Sequence, residues 1–324
     1  MKKVCPLISI VVPTYNEEKN IYKCLNSIFS QNYPKEKLEV IVVDDKSTDK
    51  TIEIVGNFPV KILISGARHG EVSKMVGFKH ATGEFFIYLD ADIELRGVDW
   101  LKKMIKPLLE NTETVGSFTR YFTQNSDPAI ERYLTLDPLQ RDSIYQFFSP
   151  GINETIVGIR DGYSLCSYYL NKIPPAGLCL YRRKELLKLV ASYKMFLELD
   201  FLWLLVKNGF NTFAYVPEAG LYHHHAASLL NLLKKRSRNV TQVYLKDNDA
   251  RHYRWFNLKT FRGFLKVALW VMWANLFIPS IFVGIYKSIY YKTWVGLYEP
   301  IVNLFVTDII IYSFLSDKRG RKLI

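Results

Sequence analysis

Phe85-Phe86-Ile87-Tyr88-Leu89-Asp90-Ala91-Asp92 is an apolar and aromatic run that ends in two carboxylates one residue apart. The run has the composition of a buried strand. In a parallel sheet, the carboxyl ends of strands open onto a crevice where ligands sit. Asp90 and Asp92 at such an end are candidate ligands for a divalent metal. A hard cation of that kind takes its remaining ligands from water and phosphate oxygens. The plainer alternative is a solvated turn, where Asp is common.

Upstream of this stretch, strands and helices alternate. Leu7–Pro13 has the pattern of a first buried strand, followed by the loop Thr14-Tyr15-Asn16-Glu17-Glu18, with Asn16 a candidate helix N-cap. Ile21, Cys24, Leu25, Ile28 and Phe29 then recur at helical spacing. Leu38–Val43 is a second strand, broken by Asp44-Asp45-Lys46-Ser47-Thr48-Asp49, and Asp49 is placed to cap a short helix. A third strand at 60–64, a helix at 72–80 and a turn at Gly83 lead into the Phe85 strand. The alternation implies an α/β fold with right-handed crossovers and a mostly parallel sheet. Asp45, Asp90 and Asp92 then project from carboxyl ends of neighbouring strands.

Downstream the pattern loosens. A helix is expected at 101–109 and a strand at 114–121, whereas 122–175 is irregular and rich in Tyr, Ser, Asp and Pro. An irregular region that long is usually functional. A strand at 178–181, helices at 182–190 and 196–207, the helix stop Gly209 and a strand at 212–216 follow, then Tyr222-His223-His224-His225.

The net charge of +12 is concentrated at the C-terminal end. From Ala226 onward there are sixteen Lys and Arg against five Asp and Glu, so that segment carries +11. The same segment is strongly apolar, which favours an anionic membrane surface over nucleic acid as its partner. Residues 228–245 have the pattern of an amphipathic interfacial helix. Residues 267–286 form a charge-poor run of bilayer-crossing length, with Pro279 tolerable in a membrane helix. Residues 293–315 form a weaker span, interrupted by Glu299 and Asp308. The expected organisation is a catalytic domain at 1–225, a basic interfacial segment at 226–262, and a two-helix membrane anchor with a basic tail at 263–324. The alternative is a helical hairpin lying on the membrane or on the domain. Basic flanks place both ends of a hairpin on the cytoplasmic side. Met1-Lys2-Lys3 leads straight into a strand pattern, so no signal peptide is expected. Cys5, Cys24, Cys166 and Cys179 lack metal-ligand spacing and are expected to be reduced thiols in a cytosolic setting.

Three motifs stand in order: Val12-Pro13-Thr14-Tyr15-Asn16-Glu17-Glu18, Val42-Val43-Asp44-Asp45-Lys46-Ser47-Thr48-Asp49, and Ala81-Thr82-Gly83-Glu84 leading into Leu89-Asp90-Ala91-Asp92. Together they resemble the family 2 glycosyltransferases of GT-A fold over about residues 7–225. The tail resembles, less specifically, the membrane anchors of polyprenyl-phosphate sugar transferases. The resemblance implies that Pro13, Tyr15 and Glu17 contact the base and ribose of a UDP- or GDP-sugar, with Asp45 accepting from the base and Val43 packing nearby. It implies that Asp90, Ala91 and Asp92 meet the diphosphate and the Mg²⁺ or Mn²⁺, and that His223, or second His225, joins the metal or diphosphate. Lys74 and Arg68 would add positive charge there, unless they only line a solvated face. Arg120 looks like the arginine after the metal strand in dolichol-phosphate mannose synthases.

Transfer with inversion onto a hydroxyl needs a base. The family keeps an acidic residue on the helix at 196–207; the spacing to Gly209 and the following Phe201-Leu202-Trp203 point to Glu198 as its counterpart, with Asp200 the alternative. Residues two apart on a helix face different ways, so one of the two is expected at the site. The acceptor implied is lipid-linked or a cell-surface glycan. Rivals fit less well. A sugar-phosphate nucleotidyltransferase starts with a glycine-rich phosphate loop, and Pro13–Lys19 has no glycine; no G-x-G-x-x-G follows any strand; and a non-catalytic membrane scaffold would have no need of Asp45, Asp90 and Asp92.

Overall fold

The computed structural model describes residues 5–174, 178–190, 192–223, 228–246, 248, 251–254 and 257–323. His224 and His225 therefore lie outside the described residues. The chain forms two compact units, Met1–Phe122 with Ile152–His223, and Thr123–Gly151 with His224–Ile324. Residues 123–151, which the sequence reading keeps with the catalytic part, group with the C-terminal segment.

The chain opens with β1 (Ile8–Thr14), α1 (Ile21–Phe29), β2 (Leu38–Asp44), α2 (Thr51–Val55), β3 (Lys61–Ile64), α3 (Gly70–His80) and β4 (Phe85–Tyr88). Then come β5 (Ile93–Leu95), α4 (Trp100–Glu110), β6 (Thr114–Phe118) and β7 (Tyr121–Phe122). The excursion into the second unit supplies α5 (Ala129–Leu134) and α6 (Ser143–Phe148). The first unit is completed by β8 (Ile156–Arg160), β9 (Tyr163–Ser167), β10 (Cys179–Arg182), α7 (Arg183–Val190), α8 (Glu198–Lys207), β11 (Thr212–Tyr215) and β12 (Leu221–His223). The second unit adds α9 (Leu229–Arg238), α10 (Phe261–Asn275), α11 (Phe277–Tyr290), α12 (Glu299–Ser316) and α13 (Lys318–Arg321).

The main sheet has the order β3-β2-β1-β4-β10-β6-β11-β9-β8. Strands β10 and β9 run against the other seven, which share one direction. A small second sheet has the order β5-β12-β7. All seven residues of β1 are buried, as are all four of β4, as continuous apolar runs covered on both faces should be. Gly77 brings α3 onto β1: a Cβ there would stand 2.3 Å from Val11. That contact fixes the height of Ser73 and Lys74 above the sheet. Phe78, Phe86, Phe196 and Phe201 form an aromatic core with ring centroids 4.6–5.8 Å apart. It fastens α3 and β4 to the start of α8, each pair adding about 0.5–1.5 kcal/mol beyond simple burial.

Three expectations are corrected. Asn16 does not cap α1. It is a left-handed corner with φ +54°, and the helix begins after Asn20. The region 122–175 is not irregular: it holds α5, α6 and the β8–β9 hairpin. The apolar run at 267–286 is not one helix. It breaks between α10 and α11, whose axes differ by 68°. Among the described residues, the one unbroken helix long and apolar enough to cross a membrane is 294–316, and α10 with α11 qualifies only as a broken span.

In the second unit, Ile130, Tyr133, Leu134, Leu232, Val295, Val302 and Val306 form one buried apolar cluster around α12.

Candidate active site

The site lies where β1, β2 and β4 end. Strands β2 and β4 flank β1, with Pro13 in register with Val43 and Thr14 with Asp44. Both Pro13 and Val43 are buried floor residues. The loop after β1 is tied to the loop after β2. The Asn16 backbone N–H donates to Ser47 Oγ (2.9 Å), Asn16 Oδ1 accepts from the Thr48 N–H (2.8 Å), and the Glu17 N–H donates to Thr51 Oγ1 (2.8 Å). An Asn tolerates the left-handed conformation this corner requires. Tyr15 is exposed at the rim, with the Arg68 guanidinium 5.5 Å from its ring centroid, a cation–π pair that closes one side.

Asp45 is buried and accepts from two serines, Ser65 Oγ and Ser73 Oγ (2.8 Å). The next residue on α3, Lys74, reaches Asp90 and Glu71 at 3.3 Å each and lies 4.1 Å from the Tyr88 ring centroid. Burial works to lower the Lys74 pKa, but the Asp90, Glu71 and Glu198 carboxylates outweigh it and hold the ammonium above the usual lysine range. Neighbouring residues of one helix therefore anchor Asp45 and Asp90.

Past β4, Ala91 is buried and Asp92 turns towards β12, where His223 Nε2 stands 3.5 Å from Asp92 Oδ2. The Tyr121 ring centroid lies 5.5 Å from that of His223. Asp90 keeps 44% of its side chain exposed, against 17% for Asp92 and 13% for His223. Among the described residues no three His, Cys, Asp or Glu side chains are grouped closely enough to hold a metal ion by themselves. The donor set is nevertheless suited to a divalent cation: Asp92 beside an imidazole, with Asp90 open to solvent next to them. A Mg²⁺ or Mn²⁺ ion held by one or two carboxylates completes its shell with substrate phosphate oxygens and water.

Glu198 opens α8, and the aromatic core sets it against β4. Tyr88 Oη donates to Glu198 Oε2 at 2.5 Å, while Glu198 Oε1 is buried with no hydrogen-bond partner. Burial pushes the Glu198 carboxyl up to about 8; the Tyr88 bond and Lys74 oppose the rise, and Glu71 and Asp90 add to it. Burial first, then Glu198 and Asp90, raises the Tyr88 hydroxyl, so it remains a donor. Asp200, two residues on, is turned inward and 1% exposed. Arg120 lies between β6 and β7. Its guanidinium and that of Arg96 pack on the Phe122 ring at 4.9 and 4.3 Å, and its Nε is buried without a hydrogen-bond partner.

Sequence reasoning missed Tyr88, Glu71, Ser65 and Ser73. Glu71 was detectable as the i,i+3 partner of Lys74 on α3. Tyr88 was detectable as the one polar tip in an otherwise apolar strand. The serines carry no signal before the fold brings β2 and α3 together.

A crevice of this composition at the carboxyl ends of a sheet of this order belongs to the GT-A class of nucleotide-sugar folds. The chain is a member of glycosyl transferase family 2, whose model matches residues 9–172. It is 33% identical over 147 residues to the glycosyltransferase AglE of Haloferax volcanii, covering 43% of this chain and 48% of that one. It is 32% identical over 169 residues to a dolichyl N-acetyl-α-D-glucosaminyl phosphate 3-β-D-2,3-diacetamido-2,3-dideoxy-β-D-glucuronosyltransferase of Methanococcus voltae, covering 48% and 52%. The chain thus spans about half the length of these curated relatives. Among solved structures, the mannosyltransferase PcManGT of Pyrobaculum calidifontis, in complex with GDP-Man and Mn²⁺, superposes with a TM-score of 0.50 at 16% identity. That match covers 99% of this chain and 79% of the other, and is a likeness of fold.

Proposed function

We propose that the protein is a metal-dependent, inverting glycosyltransferase that works at the cytoplasmic face of a membrane. It transfers a sugar from a UDP- or GDP-sugar to a hydroxyl of a lipid-linked or cell-surface glycan. One observation carries this reading: Glu198 presents a buried oxygen with no hydrogen-bond partner beside the strand that delivers Asp90.

In this mechanism Tyr15 and Arg68 cover the base and ribose, Pro13 and Val43 form the floor, and Asp45 accepts from the base. Asp90, Asp92 and His223 would hold Mg²⁺ or Mn²⁺, which when bound supplies a Lewis acid that neutralises charge on the leaving nucleoside diphosphate. The acceptor oxygen attacks the anomeric carbon from the side opposite the diphosphate. The new glycosidic C–O bond forms as the C–O bond to phosphate breaks, so configuration inverts. Glu198 Oε1 takes the acceptor's proton, and the nucleoside diphosphate leaves. Burial raises the Glu198 carboxyl, which makes it a stronger base in the fraction that is deprotonated.

A base is superfluous if the acceptor is a phosphate anion, so an intact Glu198 favours a hydroxyl acceptor over polyprenyl-phosphate sugar synthesis. The name of the Methanococcus relative, a transferase acting on dolichyl N-acetyl-α-D-glucosaminyl phosphate, supports the same choice. GDP-Man and Mn²⁺ in the Pyrobaculum enzyme support the donor class and the metal.

The test is a thermal-shift panel of UDP-, GDP- and dTDP-sugars with and without Mn²⁺. One donor at a hundredfold excess over Kd should stabilise the protein by about 2.7 kcal/mol. Asp92→Ala should remove the metal-dependent part. No stabilisation by any donor, or an unchanged Asp92→Ala response, would overturn the reading.

A further inference from the structure

The second unit is held together along the whole length of α12, and this decides how it meets a membrane. Near the start of α12, Glu299 accepts from Tyr133 of α5 (2.7 Å). In the middle, Thr307 is hydrogen-bonded to Ser143 of α6 (2.8 Å). Near the end, Ser313 donates to Ser237 of α9 (2.8 Å), and beyond it Arg319 donates to the Thr241 carbonyl (2.8 Å).

Suppose α10 and α11 crossed a bilayer and α12 crossed back. Glu299 would then lie on the far side, and Tyr133 with it. Helix α9, which runs beside the end of α12 and carries Lys234, Lys235, Arg236 and Arg238, would border the hydrocarbon. Charged side chains there are strongly disfavoured. Asp308, exposed halfway along α12, would be in the hydrocarbon as well. If only α10 and α11 crossed, α12 would be parted from all three of its partners. Separately, α10 and α11 are 15 and 14 residues long. At 1.5 Å per residue each reaches only about 22 Å, short of the ~30 Å hydrocarbon core.

The outward faces of these helices are nevertheless apolar. On α10, Phe264, Leu265, Leu269 and Met272 are exposed in a helical stripe, with Gly263, Trp270 and Ala274 buried behind them. On α11, Ile278, Phe282, Ile285 and Ile289 are exposed, with Ser280 and Gly284 buried. A run this long exceeds the scattered apolar residues of an ordinary surface. Exposed Arg262 and Lys266 sit at one end of it, and Tyr290, Tyr291, Lys292 and Trp294 at the other. Amphipathic aromatics and cations in those positions match the headgroup layer of an anionic membrane.

We infer that the second unit is a monotopic membrane platform. The outer stripes of α10 and α11 lie in the acyl-chain boundary of one leaflet, and no part of the described chain crosses. This rests on the membrane association proposed above, and it replaces the two-span hairpin with insertion from one side.

The experiment adds full-length protein, without detergent, to preformed sealed vesicles of phosphatidylcholine and phosphatidylglycerol. The protein should float with the vesicles, and Phe264→Glu combined with Phe282→Glu should abolish flotation while leaving the circular dichroism spectrum unchanged. Lys292→Cys, bound to the vesicles, should react with a membrane-impermeant maleimide above the wild-type background before any detergent is added. Labelling at 292 only after detergent would mean that α10–α11 crosses, and would overturn the inference while sparing membrane association. Failure of the wild type to float would remove membrane association itself. Flotation unaffected by the double substitution would show that the stripes are not the contact surface.

Discussion

The two units contain the same three residue types in the same arrangement, with opposite outcomes. In the first, Glu198 accepts from Tyr88 while Lys74 stands over the tyrosine ring at 4.1 Å. In the second, Glu299 accepts from Tyr133 while Lys287 stands 5.7 Å from that ring centroid. Glu299 is fully buried, and both its oxygens are used: Oε2 by Tyr133 and Lys287, Oε1 by Asn303 (3.1 Å). Glu198 has one oxygen used and one left over, and its lysine bonds Asp90 and Glu71 instead. A buried carboxylate whose lone pairs are all occupied is cement. One with an idle oxygen beside the strand that delivers Asp90 keeps an acceptor in reserve.

Glu198→Gln should bring out the sharpest contrast. Loss of a positioned base costs about 10²–10⁴-fold in rate. Turnover should fall by that much while donor affinity holds. Retained turnover would break the comparison by making Glu198 as structural as Glu299.

Glu299→Ala should do the reverse. It strands Lys287 in a buried position, and breaking one partner of a buried pair costs about 3–5 kcal/mol. Denaturant unfolding should register that loss. Glu299→Ala with Lys287→Met should recover much of it, because two apolar groups can replace a buried pair. A single variant as stable as the wild type would mean that the second cluster contributes nothing.

The tyrosines refine the contrast at smaller scale. Hydrogen bonds to charged groups are worth about 1.5–3 kcal/mol. Tyr133→Phe should appear as lost stability of that order. Tyr88→Phe should appear mainly in the pH dependence of turnover, displaced to higher pH because the bond that restrains the Glu198 pKa is gone. Equal effects of the two on stability alone would erase the distinction.

Much of the first unit was legible because strand ends there are marked by acids. The buried runs ending at Asp44 and Asp90 gave β2, β4 and the crevice without reference to tertiary structure. The β8–β9 hairpin was missed because its strands alternate poorly, yet Asp161-Gly162, with Gly162 at φ +82°, is a strong two-residue hairpin signal. Pro279 was taken as tolerable inside a long helix. It stands in the first turn of α11, where its missing N–H costs nothing, so it marks a helix start. Glu198 was preferred to Asp200 only on its spacing to Gly209 and the following Phe201-Leu202-Trp203. Both fall in one helical turn; in the fold Glu198 is bonded to Tyr88, on whose ring Phe196 packs, and Asp200 is buried.

A last test reads the idle oxygen thermodynamically. Glu198 has a folded-state pKa of about 8 against an ordinary 4.5. Between those values the folded protein retains a proton that the unfolded chain has released. The associated stability is complete below about pH 4.5 and is lost as pH rises through about 8. Other groups titrate over the same range, so the useful quantity is the difference between wild type and Glu198→Gln, measured without metal. That difference in melting temperature should move steadily against the wild type from pH 5 to pH 8 and level off above. Parallel melting curves across the range would mean that Glu198 ionises as an ordinary surface carboxylate, and the first cluster would lose the feature that separates it from the second.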